Sequence, residues 1–398
     1  MSQNSRFFIP ALGMLSALVA MAMDMYLPSL PQIAKDLEAD FGLVQQTLSV
    51  FLIGIAFSQI FYGPISDRFG RRWVLFTGVS VFGLVSAFCA QSTNIDQLIH
   101  LRWLQALGAG AGSVIVAAIV RDLYQGQQAA RVMSYVIMVM MVVPLLAPLI
   151  GGYVLIWLGW RAIFWLLVCL GFICAWTVVA IIPETNPPER RQSLSLGRVL
   201  SNYRHILSHS KAMGFNLCSA FSYGCLFAFI SGSPYLYIEY FGISPEFYGY
   251  LFGCNIVLTM ICAYLNSQLI GRFSSQSLLL GSVLVQVVAC SCLMLISLFH
   301  FGGVVGTLTP IILCVGMVGM ISANATASML SYFTIATGTA SGVLSVSRFG
   351  IAGIASAAVG FLHDGSNLVM PGVMLFCVLV SLGALVLLAG VRSFRQTP

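Results

Sequence analysis

Apolar runs of about 20 residues, separated by short polar or glycine- and proline-containing segments, recur twelve times along this 398-residue chain. They lie near 7–33, 43–63, 73–91, 98–120, 132–155, 161–182, 212–237, 247–270, 277–298, 307–330, 341–363 and 370–391. A helix of that length crosses roughly 30 Å of hydrocarbon, so the pattern predicts twelve transmembrane helices. The first run continues past Asp24 into the LPSLP sequence at 27–31 and offers no small-residue cleavage site, which makes it a retained helix rather than a signal peptide. One connection is long. Residues 183–211 divide the chain into six runs plus six, giving an N-terminal part (1–182), a linker and a C-terminal part (212–398). Within the linker Leu196, Val199, Leu200, Tyr203, Ile206 and Leu207 recur at helical spacing, with Arg198, Arg204 and His205 elsewhere around the helix. That suits an amphipathic helix in the headgroup region, or a solvated linker helix that only anchors.

Composition agrees with the pattern. A chain that is 59% hydrophobic and 8% charged, with a mean hydropathy of +0.95, is not a water-soluble globule. The net charge of +6 reports topology rather than a nucleic-acid partner. With the N-terminus inside, Arg6, Arg68, Arg71, Arg72, Arg121, Arg131, Arg190, Arg191, Arg198, Arg204, Lys211, Arg272, Arg392 and Arg395 fall in the cytoplasm, and only Lys35 and Arg161 fall outside. Basic residues are retained on the cytoplasmic side, so both termini are expected there. The 11 cysteines show no CxxC or Cys/His spacing and read as small helix-packing residues; His205 and His209 share a helical face but have no accompanying acid or cysteine. No metal site or cofactor is expected. Nor is an enzyme, since neither a nucleotide loop nor a nucleophile–base pair is present.

The candidate chemistry lies inside the runs. Asp24 is the only acid well within any of them, and an ionisable group there is costly unless it faces protein or water. Gly13, Ala17, Ala20, Asp24 and Pro28 share one helical face of small residues, suited to packing or to a cavity. Arg102, in run 4, lies at a similar depth and is a candidate partner, or else snorkels to the interface; Gln105, Ala109 and Ser113 continue its face. Pro144 and Pro148 each remove a backbone donor from run 5, while Gly151 and Gly152 permit close helix approach. Tyr26, Gln59, Tyr62, Tyr223, Phe227 and Tyr235 offer aromatic or polar cavity walls, although aromatics near helix ends also serve as interfacial anchors. Arg348, in run 11, is open to two readings: contact with an anionic group, or snorkelling.

Several segments carry a family resemblance. Residues 63–72, GPISDRFGRR, read as a glycine-bounded turn holding four charges, and a weaker copy with Gln268 in place of the acid spans Tyr264–Phe273. The first resembles the cytoplasmic loop between helices 2 and 3 of the major facilitator superfamily. DMYLPSLP (24–31), RWLQALGAG (102–110), Arg121-Asp122, PLLAPLIGG (144–152), ISGSPYLYIEYFGISPEFYG (230–249) and GTASGVLSVSRFG (338–350) are similar to the Bcr/CflA branch of its 12-helix drug:proton antiporters, which includes bicyclomycin-resistance efflux proteins.

The resemblance implies an all-α membrane protein, with two six-helix bundles enclosing a central cavity that opens to each side in turn. It implies proton coupling at the Arg102 motif and an antiporter motif at Pro144–Gly152, with Ala147 standing where that motif has glycine. It also implies a conformational latch drawn from Gly63, Asp67, Arg68, Gly70, Arg71, Arg72 and Asp122, in which Asp67 meets the N-terminal end of helix 11 and Arg71 pairs with Asp122; Arg68 and Arg72 also read simply as topology determinants. The expected function is proton-coupled export of small organic compounds by a monomer in the bacterial inner membrane, with protons, a small-molecule substrate and the bilayer as partners. The alternatives are a proton-coupled importer of a sugar or organic acid, and a transporter-like receptor.

Overall fold

The computed structural model describes residues 7–191, 203–333 and 337–390. Among these residues there is no β-strand, and twelve helices are long and apolar enough to cross a membrane. In chain order the elements are α1 (Phe8–Asp24), α2 (Leu30–Asp36), α3 (Phe41–Phe69), α4 (Arg71–Ala90), α5 (Ile95–Leu123), α6 (Gly126–Leu158), α7 (Trp160–Ala180), α8 (described over 203–207), α9 (Ser210–Pro234), α10 (Pro245–Leu269), α11 (Ser275–Phe299), α12 (Gly303–Leu330), α13 (Thr337–Phe361) and α14 (Val369–Gly383). Several starts are capped as the sequence allows. The side chains of Asp40, Asn94 and Ser274 accept from the backbone N–H of Gly42, Gln97 and Ser277 at 2.8, 2.8 and 3.1 Å.

Two expectations need correction. The first apolar run is a broken helix: α1 stops at Asp24, Leu27–Ser29 form a 3₁₀ turn, and α2 restarts at Leu30. Pro28 and Pro31 lie in the first turns of the 3₁₀ segment and α2, where their missing N–H groups cost no helical bond. Residues 63–72 are not an extended turn either. Helix α3 continues through Pro64 to Phe69, Gly70 alone is non-helical with φ +99°, and α4 starts at Arg71.

The chain separates into two compact units, residues 1–194 with 244–250, and residues 195–243 with 251–398. In the first, α5 packs on α1, α3 and α4 through its glycines. A Cβ at Gly108 would meet the backbone of Phe82 at 2.6 Å, one at Gly110 would overlap the Ser58 hydroxyl, and one at Gly112 would overlap the Leu15 carbonyl. In the second unit Phe215 (α9), Leu279 and Val283 (α11), Ile321 (α12) and Leu344 (α13) form a buried core. Ile206 of α8 is fully buried in that core and Tyr203 packs against it, so this part of the linker helix binds protein rather than the headgroup region. Leu196, Arg198, Val199 and Leu200 lie outside the described residues.

Candidate functional site

In the first unit the break after α1 puts Asp24 at a helix end, with only 3% of its surface exposed. Two features of α6 border this region. A Cβ at Gly151 would lie 1.7 Å from the Met25 carbonyl oxygen, so the antiporter-like segment touches backbone one residue from Asp24. Gly13, on the small-residue face, abuts Val139 of α6, which makes that part of the face a packing surface. Helix α6 runs on without interruption through Pro144 and Pro148.

Arg102 of α5 is fully buried and does not snorkel. Its guanidinium carbon sits 4.2 Å from the ring centres of both Tyr26 and Phe51 and 5.9 Å from that of Phe164, so π faces meet the charge. Nη1 donates to Gln105 Oε1 at 2.6 Å, and the Gln105 amide donates to Ser86 Oγ at 2.7 Å; Nε and Nη2 have no hydrogen-bond partner. Among the described residues no ion pair joins Arg102 to Asp24, its candidate partner from sequence. Tyr26 and Gln105 are fully buried against Arg102, the first by its ring and the second by its amide oxygen. The Tyr26 hydroxyl donates to Thr47 Oγ1 at 3.1 Å, because that hydroxyl itself donates to the Val44 carbonyl. Gln59 and Tyr62 remain partly accessible.

At the α3–α4 junction Arg71 is buried and each of its three nitrogens has a partner. Nη2 pairs with Asp67 at 2.6 Å, Nε with Asp122 at 3.2 Å, and Nη1 donates to Ser66 Oγ at 2.6 Å. Sequence reasoning missed a second layer from the segment after α7. Glu184 accepts from the backbone N–H of Arg71 at 2.8 Å and of Arg72 at 3.2 Å, placing an anion on the first turn of α4. Thr185 donates to Asp122 at 3.0 Å, and Asn186 donates to the Asp67 carbonyl at 2.7 Å. The PET triplet at 183–185 was the available signal. Gly70 is required twice, by its positive φ and because a Cβ would lie 2.5 Å from the Glu184 carboxylate. Arg72 donates to the Val179 carbonyl, and Arg68 stacks over Phe69. A Cβ at Gly63 would meet nothing within 4 Å, so no packing reason for that glycine exists.

In the second unit Arg348 of α13 is held by Ser219 Oγ (2.8 Å), Thr326 Oγ1 (2.7 Å) and the Ser322 carbonyl (3.2 Å), with its guanidinium carbon 5.1 Å from the Tyr223 ring centre. It does not snorkel either. Phe227, one turn beyond Tyr223, packs against Phe349, giving a cationic and aromatic cluster of α9, α12 and α13. Tyr235 lies elsewhere: its hydroxyl donates to the Gly365 carbonyl and its ring meets His363, so it anchors a loop rather than lining this cluster. The cysteines are not all dispersed. Cys225, Cys290 and Cys314, 65 and 24 residues apart in sequence, meet in the core of this unit.

Comparison with known proteins decides the assignment. The Major Facilitator Superfamily profile matches residues 12–357. The chain belongs to this superfamily. It is therefore a multi-pass membrane transporter of small molecules. It is 34% identical over 383 residues, covering 95% of each chain, to the bicyclomycin resistance protein homolog of Haemophilus influenzae. It is 26% identical over 379 residues to the multidrug resistance protein MdtL of Escherichia coli, covering 95% of this chain and 94% of that one. Among solved structures it resembles a D-xylose–proton symporter, with TM-score 0.76, 14% identity and coverage of 98% and 99%, which speaks for the superfamily fold alone.

Proposed function

We propose that this transporter is a proton-coupled antiporter that exports small organic compounds, of the kind the names of its relatives indicate, by alternating access across the bacterial inner membrane. Both termini and the linker lie in the cytoplasm, and the monomer is the working unit without a cofactor. The observation that carries this reading is Asp24, nearly sealed from solvent at the end of a broken helix beside Gly151 of α6. Asp24 carries the coupled proton. Arg102 tunes it from within an aromatic cage, since a cation without a fixed carboxylate partner biases whichever acid approaches it in one state and not in another. The Arg71 cluster, with Asp67, Asp122 and the Glu184 layer, is the latch that favours one conformation. Arg348, Tyr223 and Phe227 in the second unit, and Gln59 and Tyr62 in the first, are each assigned to substrate binding.

Asp364 is a poor alternative proton carrier. It lies in the loop after α13, where hydrogen bonds from Ser366 hold its carboxyl below the ordinary range, keeping it ionised near neutral pH. The test is transport in proteoliposomes under an imposed pH gradient. Asp24→Asn should insert normally and lose proton-driven transport; transport by Asp24→Asn that still follows the gradient as the parent does would remove Asp24 from the mechanism.

A further inference from the structure

The second unit contains a side-chain cluster that the transport reading does not use. Cys225 of α9, Cys290 of α11 and Cys314 of α12 are buried, with Sγ–Sγ separations of 3.8 Å (225–290), 3.3 Å (225–314) and 3.2 Å (290–314). Three thiols on three different helices thus form a closed triangle. Ordinary helix packing places one small cysteine against its neighbours and does not require three to converge. A disulfide joins sulfurs at about 2.05 Å and uses only two of them. A metal at about 2.3 Å from each of three sulfurs in a plane would set them about 4.0 Å apart, which the triangle reaches by opening each side by less than an ångström. Adjacent polar groups are already committed: the Gln286 amide donates to the Cys314 carbonyl at 3.2 Å and accepts from Ser222 Oγ at 3.1 Å, bracing α9, α11 and α12 around the sulfurs.

From this geometry we propose that Cys225, Cys290 and Cys314 form a buried three-sulfur site for a soft monovalent cation, Cu(I) or Ag(I). Softness follows from the donors, since thiolate sulfur selects soft ions over Mg(II), Ca(II) or Mn(II). Ligand number argues against Zn(II), which takes four ligands in a structural site: among the described residues three donor atoms lie within 4.8 Å of one another, and the buried Cys377 of α14 lies nearby but outside that group. Charge argues for a single positive charge. One thiol loses its proton to solvent as the ion binds, the other two donate as neutral sulfurs, and the buried complex is neutral, avoiding the cost of an uncompensated charge in an apolar core. An apolar groove of about 510 Å³ between α11 and α12 is lined by Ala289 and Leu313, the sequence neighbours of Cys290 and Cys314, and by Cys292, whose thiol is exposed. Binding would tie together α9 and α12, the two helices that hold Arg348.

The test uses the purified full chain in detergent, with the exposed thiols Cys169, Cys254 and Cys292 changed to serine to remove surface binding. Cu(I) is titrated anaerobically against a chromogenic chelator, and Ag(I) against the same protein in chloride-free buffer. One equivalent should bind, and X-ray absorption of the Cu(I)-loaded protein should show three sulfur ligands. Cys314→Ser and, separately, Cys290→Ser should weaken binding about tenfold or more, whereas Cys174→Ser, a buried thiol of the other unit, should leave it unchanged. Binding unaffected by both triad substitutions overturns the proposal. So does a spectrum with oxygen or nitrogen ligands, or with fewer than three sulfurs, a readout on the protein with its triad intact that stands even where a triad variant fails to fold.

Discussion

Glu184 holds the first turn of α4 from 113 residues away, and removing its carboxylate gives a measurable loss. In Glu184→Ala the N–H groups of Arg71 and Arg72 lose an ionised acceptor at 2.8 and 3.2 Å, and Asn186 N–H loses one at 2.9 Å. A hydrogen bond to a charged group contributes about 1.5–3 kcal/mol net, and an anion at a helix N-terminus about 0.3–1 kcal/mol. Glu184 is half-buried and water replaces part of the loss, so about 2–3 kcal/mol is expected in total. For a unit of about this size each kcal/mol moves the unfolding midpoint by about 2–4 °C, giving a drop of about 5–10 °C. Glu184→Gln keeps a neutral acceptor and should lose about half as much. The assay is thermal unfolding in detergent followed by a thiol-reactive dye, because Cys89 and Cys174 of this unit are buried and become reactive when it opens. Glu189→Ala, in the short turn at Pro188–Arg190, is the control and should leave the midpoint unchanged. A midpoint for Glu184→Ala within 1 °C of the parent would show that α4 does not depend on this cap.

Other substitutions separate the remaining contacts. Tyr26→Phe removes only the bond to Thr47 and keeps the ring over Arg102, so it should cost about 1 kcal/mol of stability, whereas Tyr26→Leu also loses the cation–π contact and should cost about 2 kcal/mol more; equal midpoints for the two variants would refute the cage. Gly151→Val places branched carbons into the Met25 carbonyl and should abolish transport while lowering expression of folded protein, read by fluorescence-detected chromatography; an active, monodisperse variant would contradict the close approach of α1 and α6. Arg348→Lys cannot bond Ser219 and Thr326 together with the Ser322 carbonyl in the same fork and should reduce transport of an anionic or aromatic substrate more than it lowers thermal stability, with the reverse order marking a purely structural role.

Periodicity made the helices legible because a bilayer demands runs of fixed length, while the ends shifted: α3 and α5 start earlier behind the caps Asp40 and Asn94, and α3 runs on through Pro64 to Phe69. The broken first helix was written in Pro28 and Pro31, yet hydropathy averages over a single turn and hid it. Arg71–Asp122 was legible through the motif, whereas Glu184 was not, since its role is to accept from backbone N–H groups and no side-chain pattern announces that. Arg102 was found as a charge in a membrane helix, but its neighbours were misjudged. A search for a countercharge overlooks the π faces of Tyr26 in the break after α1, Phe51 of α3 and Phe164 of α7. The three cysteines were invisible for the same reason: no local spacing links α9, α11 and α12.

The decayed repeat separates what the turn needs from what the charges do. Gly70 and Gly271 stand 201 residues apart with φ values of +99° and +105°, so both copies keep a backbone conformation that other residues reach only with strain. Their surroundings differ. A Cβ at Gly70 collides with Glu184 and approaches Arg191, while one at Gly271 meets nothing within 4 Å, and Gln268 stands where the first copy has Asp67. The second copy has therefore kept the chain reversal between its helices and lost the acid that pairs with Arg71 in the first. Chain reversal is a requirement of the fold and persists in both units. The charge network is found in the first copy and not in the second, which agrees with the latch role proposed for the Arg71 cluster rather than with a demand of the turn itself.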